Sequence, residues 1–179
     1  MMAIVTEAAA FAALFIVAWA AAIDAVKFEI PDSASLAIGA LALIFCLLEP
    51  GIVWWSHLGA PLLMFGFGLL AFSRGWLGGG DVKLMTAVAA WTGLAGFALM
   101  FIATSIAGGL LALVLMIARR LATAQDERRG RVSQPAKPLP YAVAIALGTL
   151  WWLWATGGGP LAAHYAVGDH RPVARAIAT

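Results

Sequence analysis

Two aspartates and a run of glycines are the residues of this chain whose types and spacing can do chemistry. Asp24 ends the first apolar run, and Gly78-Gly79-Gly80-Asp81 delivers a second carboxylate to the mouth of a later one. An ionisable side chain at or just inside a membrane surface is costly, and by default it marks a functional site. Two carboxylates held close together in poorly solvated surroundings cannot both ionise easily, so the pair holds one proton near neutrality. The ionised member can then activate water while the protonated one polarises a carbonyl, which is the acid and base of peptide hydrolysis. The bland role for the same residues is a solvated helix cap or a partner for lysine. Three glycines ahead of a helix let the backbone approach another chain closely. A phosphate cradle is the other use of such a loop, but the Walker spacing is absent and Asp81 would repel the anion.

The elements that must position these groups are membrane helices. The chain has 179 residues, 63% hydrophobic and 11% charged, with a mean hydropathy of +0.94, whereas soluble domains are roughly 25% charged. An all-α polytopic membrane helix bundle of about six transmembrane helices is predicted, as a single domain over residues 1–156 followed by an outward-facing tail over 157–179. Helix 1 is expected over about residues 3–23, and the lack of a basic residue before it favours a span over a secretory signal. Residues 24–33 then form a loop in which Asp32 or Ser33 caps a second helix reaching about residue 48, with Pro31 just outside it. A third helix covers about 58–72, where Gly59, Gly66 and Gly68 mark close approaches between neighbours. Helices 4 and 5 are separated by a tight turn at Thr92-Gly93. A hydrophilic loop occupies 119–140, and the last helix runs over 141–156.

Two helices separate Asp24 from Asp81, so both carboxylates fall on one face. The loops around Lys27, around Lys83 and over residues 119–140 share that face, and the other two loops contain no Lys or Arg. It is therefore expected to be cytoplasmic. Trp54, Trp55, Trp91 and the cluster from Trp151 to Trp154 are expected near the opposite interface, where His57, His164 and His170 have no assigned chemistry. Lys83 is placed to snorkel, to hold an anionic headgroup or to stabilise an ionised Asp81. The single Cys46 excludes a disulfide framework and a Cys-x-x-Cys metal site. No metal, cofactor or nucleic acid is expected.

Gly78-Gly79-Gly80-Asp81-Val82-Lys83-Leu84, Asp24 with the downstream Ile30-Pro31, and Pro140-Tyr141-Ala142-Val143-Ala144-Ile145 resemble, in that order, the motifs of the prepilin peptidases. These are membrane aspartic proteases with a Gly-x-Gly-Asp motif, and the chain is most similar to their small form from tight-adherence (Flp) pilus systems. The resemblance implies that Asp24 and Asp81 are catalytic. Gly78, Gly79, Gly80, Lys83, Pro31, Asp32, Pro140 and Tyr141 would support them. It also implies the substrates, pilin and pseudopilin precursors whose basic leader is removed after a glycine at the cytoplasmic face of the bacterial inner membrane, among membrane lipid. Two positions depart from the pattern: Asp32 stands where the family has Asn, and Ala142 where it has Gly. With one cysteine and no cysteine-containing loop, the N-methylation activity of the larger members is expected to be absent. A small proton-coupled carrier and a non-catalytic pilus-assembly partner are the alternatives. Both carboxylates lying near one surface and the lack of a visible inverted repeat count against transport.

Overall fold

The computed structural model describes residues 2–49, 51–128 and 139–156, and these are helical apart from short connections. Five helices follow in order: α1 (Met2–Lys27), α2 (Asp32–Leu48), α3 (Trp54–Ser73), α4 (Gly79–Arg128) and α5 (Tyr141–Ala155). Three of them contain stretches long and apolar enough to cross a membrane, Ala8–Lys27, Trp54–Ser73 and Gly79–Thr123, while α2 and α5 are shorter apolar helices. A count of six spans therefore goes beyond what length and hydropathy mark in this structure.

Helix α1 packs on α2 and α5, and α4 packs on α2, α3 and α5. The core holds Ile38, Phe45, Met64, Leu84, Met85, Met100 and Ile145, all essentially inaccessible. Alanines at 9, 10, 13, 20 and 21 form the buried face of α1, and small side chains of this kind let helix backbones approach where lipid gives no hydrophobic drive to association. Phe11, Phe15, Leu36, Leu43, Leu62, Leu69 and Leu110 face outward and are exposed. Helices apolar on both faces are expected of membrane spans.

At 1.5 Å per residue, a straight helix over Gly79–Thr123 would be about 68 Å long against a hydrocarbon core of about 30 Å. Instead α4 is broken at Gly93, whose φ of 58° and ψ of 179° belong to a region open essentially only to glycine. The bend exposes backbone groups that α3 satisfies: Leu94 N–H donates to Ser56 Oγ at 2.8 Å, and His57 Nδ1 lies 2.8 Å from the Ala90 carbonyl oxygen. A side chain at position 93 would also meet Ser56 Oγ at 2.8 Å. The expected turn at Thr92-Gly93 is thus present, and the two limbs it joins return the chain to the end it started from. Gly108, on the second limb, touches the Tyr141 ring at the start of α5.

Several expectations need correction. Helix α1 does not stop before Asp24 but runs through it to Lys27, because Asp24-Ala25-Val26-Lys27 contains no helix breaker, and the connecting loop shrinks to residues 28–31. The stretch from Arg119 is not loop: α4 continues to Arg128, since Arg, Leu, Ala and Gln are strong helix formers and neither Gly nor Pro intervenes before Gly130. The remainder of that expected loop, residues 129–138, and the tail over 157–179, including His164 and His170, lie outside the described residues. Trp91 and Trp152 are core residues and not interfacial ones, exposed by only 5% and 3%; Trp91 Nε1 donates to the Ile38 carbonyl at 3.0 Å, which locks α4 to α2. Gly68 and Gly59 do seat neighbours, Val82 and Leu94, but Gly66 faces open space.

Candidate active site

The ends of α1, α3, α4 and α5 meet at one end of the bundle around an open cleft of ≈ 780 Å³. Its lining brings together Asp24, Asp32, Gly78, Gly79, Gly80, Asp81 and Tyr141 from the sequence-predicted set. Pro31, Lys83 and Pro140 are not part of it. Pro31 and Pro140 serve instead as the N-cap residues of α2 and α5, where a proline costs nothing because no intrahelical donor is lost.

Asp24 is nearly inaccessible, at 5% exposure. Its Oδ2 accepts the Ala142 backbone N–H at 2.9 Å. This donor is one of the unpaired N–H groups of the first turn of α5, so the carboxylate of α1 sits where a helix N-terminus presents both a free donor and its positive dipole end. The position that departs from the family pattern is thereby explained in part: the contact is made by backbone, which alanine supplies as well as glycine.

Asp81 lies in the first turn of α4. Its Oδ2 accepts the Gly78 N–H at 3.1 Å while the Gly78 carbonyl accepts from Val82 N–H at 3.2 Å, the reach-back half of a capping box. A Cβ at Gly78 would stand 2.9 Å from Asp81 Oδ2 and displace it. A Cβ at Gly80 would stand 3.1 Å from Ile30 Cβ, so the loop after α1 rests directly on the glycine turn. That contact draws the two Asp-bearing segments together, and both aspartates line the same cleft.

Asp32 does not cap α2 through its side chain. It is the first residue of the helix, and its Oδ1 pairs with Lys83 Nζ at 2.8 Å. Lys83 is thus engaged with the third carboxylate and not with Asp81. Both side chains are more than half exposed, where such pairs contribute only about 0–1 kcal/mol. On the peptide-hydrolysis expectation from the sequence, Asp32→Asn should therefore leave cleavage and folding nearly unchanged, measured as precursor processing beside the wild type. Loss of cleavage in Asp32→Asn together with retained cleavage in Asp24→Asn would show that the other carboxylate of this segment carries the chemistry.

The lining also contains Phe28, Glu29, Ile30, Gly75, Trp76, Leu77 and Leu139. Trp76 and Leu77 fall within the glycine-rich stretch and were open to discovery from it. Nothing in the sequence singles out Phe28 or Leu139. Among the described residues, no group of three His, Cys, Asp or Glu side chains is placed to hold a metal ion. What the cleft does offer is a buried carboxylate fixed by a backbone donor, and a second one, fixed by a glycine turn, in the same lining. Such a pair can share a proton and serve water and a carbonyl from opposite roles.

A profile of the type IV leader peptidase family matches residues 10–113, more than half of the chain. The chain belongs to that family. The match runs from α1 into the second limb of α4 and includes both aspartates and the glycine turn between them and the bend at Gly93. No curated protein and no solved structure matches the chain significantly. Family membership makes it a peptidase, hence a hydrolase with pilin-type precursors as the family's substrates, and its long apolar helices are those of a membrane protein.

Proposed function

We infer that this chain is a membrane-embedded aspartic endopeptidase that removes the leader of type IV or Flp pilin and pseudopilin precursors, with Asp24 and Asp81 as its catalytic pair. The observation that carries the reading is that a leader peptidase family chain brings these two aspartates, from separate helices, to the lining of one cleft. In the reaction, water attacks the scissile carbonyl carbon as the ionised carboxylate takes its proton. The protonated carboxyl gives its proton to the carbonyl oxygen. The tetrahedral intermediate then collapses: the C–N bond breaks as the newly protonated carboxyl gives its proton to the leaving amine and the other carboxylate takes a proton from a hydroxyl of the intermediate, so the pair again holds one proton. Which member starts protonated is a property of the pair and not of either residue.

The supporting groups have distinct parts in this reading. Gly78, Gly79 and Gly80 shape the turn that aims Asp81. Ile30 and Pro31 lay the first loop on it, and Pro140, Tyr141 and Ala142 present the donor that orients Asp24. Residues 1–156 act as one peptidase domain and 157–179 as a tail. The deciding experiment is incubation of the purified protein, in detergent or lipid, with a pilin precursor while leader removal is followed; an intact precursor would leave the carrier or the assembly partner as the role.

The cleft end of the bundle is also where the Lys27 and Arg74 ends of α1 and α3 lie, and charge bias assigns such an end to the cytoplasm of a bacterial inner membrane. Reporter fusions after Lys27, Arg74 and Arg129 are expected to read as cytoplasmic and one after Gly51 as external. A cytoplasmic reading after Gly51 would overturn this orientation.

A further inference from the structure

A second depression, of ≈ 630 Å³, shares only Leu139 with the cleft that holds Asp24 and Asp81. Its other lining residues all come from α4, and their spacing puts them on one stripe of that helix. The stripe changes character along its length: Ala112, Leu115 and Met116 form an apolar floor, and Arg119, Arg120 and Thr123 follow it toward the helix end. These two arginines are the first charged residues after Lys83. Before them the outer surface of α4 is apolar, with Leu110, Leu113, Val114, Met116 and Ile117 exposed. The edge of the apolar belt therefore falls inside the groove, where guanidinium groups meet lipid headgroups while the floor meets acyl chains. The two neighbouring depressions carry opposite charge. Asp24, Glu29, Asp32 and Asp81 line the cleft, whereas the described lining of the groove holds two arginines and no carboxylate. Residues 129–138, which join α4 to Leu139 in sequence, bring Arg129, Arg131 and Lys137 and no Asp or Glu, and Asp126 and Glu127 lie more than a helical turn beyond Arg120. An anion is thus drawn to the groove and away from the cleft.

We propose that this groove binds one anionic phospholipid, with Arg119 and Arg120 on its phosphate and the start of an acyl chain along Leu115 and Met116. A guanidinium presents a planar fork of donors that matches phosphate oxygens, and Thr123 adds a hydroxyl at the same end. A zwitterionic lipid carries its own ammonium beside the phosphate, which two arginines repel, so the groove favours a lipid of net negative charge. A free phosphate makes no use of the apolar floor, and a neutral tail makes none of the arginines. The assignment is independent of the peptidase reading and holds for any role of the cleft.

The test titrates the full chain, purified in a neutral detergent, with phosphatidylglycerol, phosphatidylcholine or inorganic phosphate, and reads the bound molecules by native mass spectrometry. Wild type is expected to prefer phosphatidylglycerol to phosphatidylcholine by about tenfold or more. The double variant Arg119→Gln with Arg120→Gln should weaken phosphatidylglycerol binding by about 30-fold and leave phosphatidylcholine unchanged. Met116→Trp fills the floor without changing the charge and should weaken it by about tenfold, the effect of displacing about two methylenes from apolar contact. Lys27→Gln with Arg74→Gln removes the same charge outside the groove and should bind as wild type does. An equal loss in that pair would show diffuse attraction to a basic surface and overturn the site, as would full binding in either groove variant. Inorganic phosphate held as tightly as the lipid would overturn the lipid as occupant. Wild type that retains no phosphatidylglycerol, or does not distinguish it from phosphatidylcholine, would overturn the assignment outright.

Discussion

Asp24→Asn and Asp81→Asn are each expected to abolish precursor cleavage, by about 10²- to 10⁴-fold or more, without disturbing folding or membrane insertion. Asparagine cannot take a proton from water or give one to a carbonyl oxygen as a carboxyl does, so either substitution removes half of the proposed catalytic pair. The structure explains why the scaffold should survive. Asp24 is engaged through Oδ2 with the Ala142 N–H, and Asp81 through Oδ2 with the Gly78 N–H; an amide oxygen can accept both bonds. The two variants should therefore unfold near the wild-type temperature and differ only in activity. Processing at the normal rate by either one would end the case for the pair. A large drop in stability would mean that the carboxylates serve the fold before they serve the chemistry.

The largest effect on stability is expected at Gly148, where α5 crosses the second limb of α4. This glycine is buried, and a Cβ placed on it would collide with Thr104 Oγ1 and stand 2.7 Å from both the Cα and the backbone nitrogen of Thr104. A side chain can rotate away from such a contact, but backbone cannot, so the helices must part. Gly148→Ala should cost about 1–3 kcal/mol, and Gly148→Val more. Activity should fall as well, because Ala142, whose N–H holds Asp24, lies less than two turns before Gly148 on the same helix. Gly66→Ala is the matched control: nothing lies within 4 Å of its Cβ position, and replacing a helical glycine by alanine there should be neutral or stabilising by up to about 1 kcal/mol. Thermal unfolding of the two variants in one detergent tests the contrast. Equal melting temperatures would contradict the close crossing at Gly148.

Hydrophilicity and irregularity proved to be different properties along this chain. The segment from Arg119 reads as loop because it is polar, yet Arg, Leu, Ala and Gln all favour the helix that α4 keeps to Arg128. Aromatic character was ambiguous in the same way, since an amphipathic indole suits a headgroup layer or a core with an acceptor at hand. Trp91 found that acceptor in the Ile38 carbonyl.

From sequence alone, the membrane class, the parity that returns Asp24 and Asp81 to one face, and the break at Thr92-Gly93 could all be derived, because each depends on hydropathy, helix length or a local residue type. The motifs likewise pointed to the family that the profile match establishes. What tertiary structure decided were the partners: Ala142 for Asp24, Asp32 for Lys83, Ile30 for Gly80, and the left-handed turn at Phe28 beneath the cleft. Asp24 and Ala142 are separated by 118 positions, and no periodicity or propensity within either segment encodes the other. Their meeting is set by how closely α1, α4 and α5 can pack, which depends on the small residues along all three helices at once.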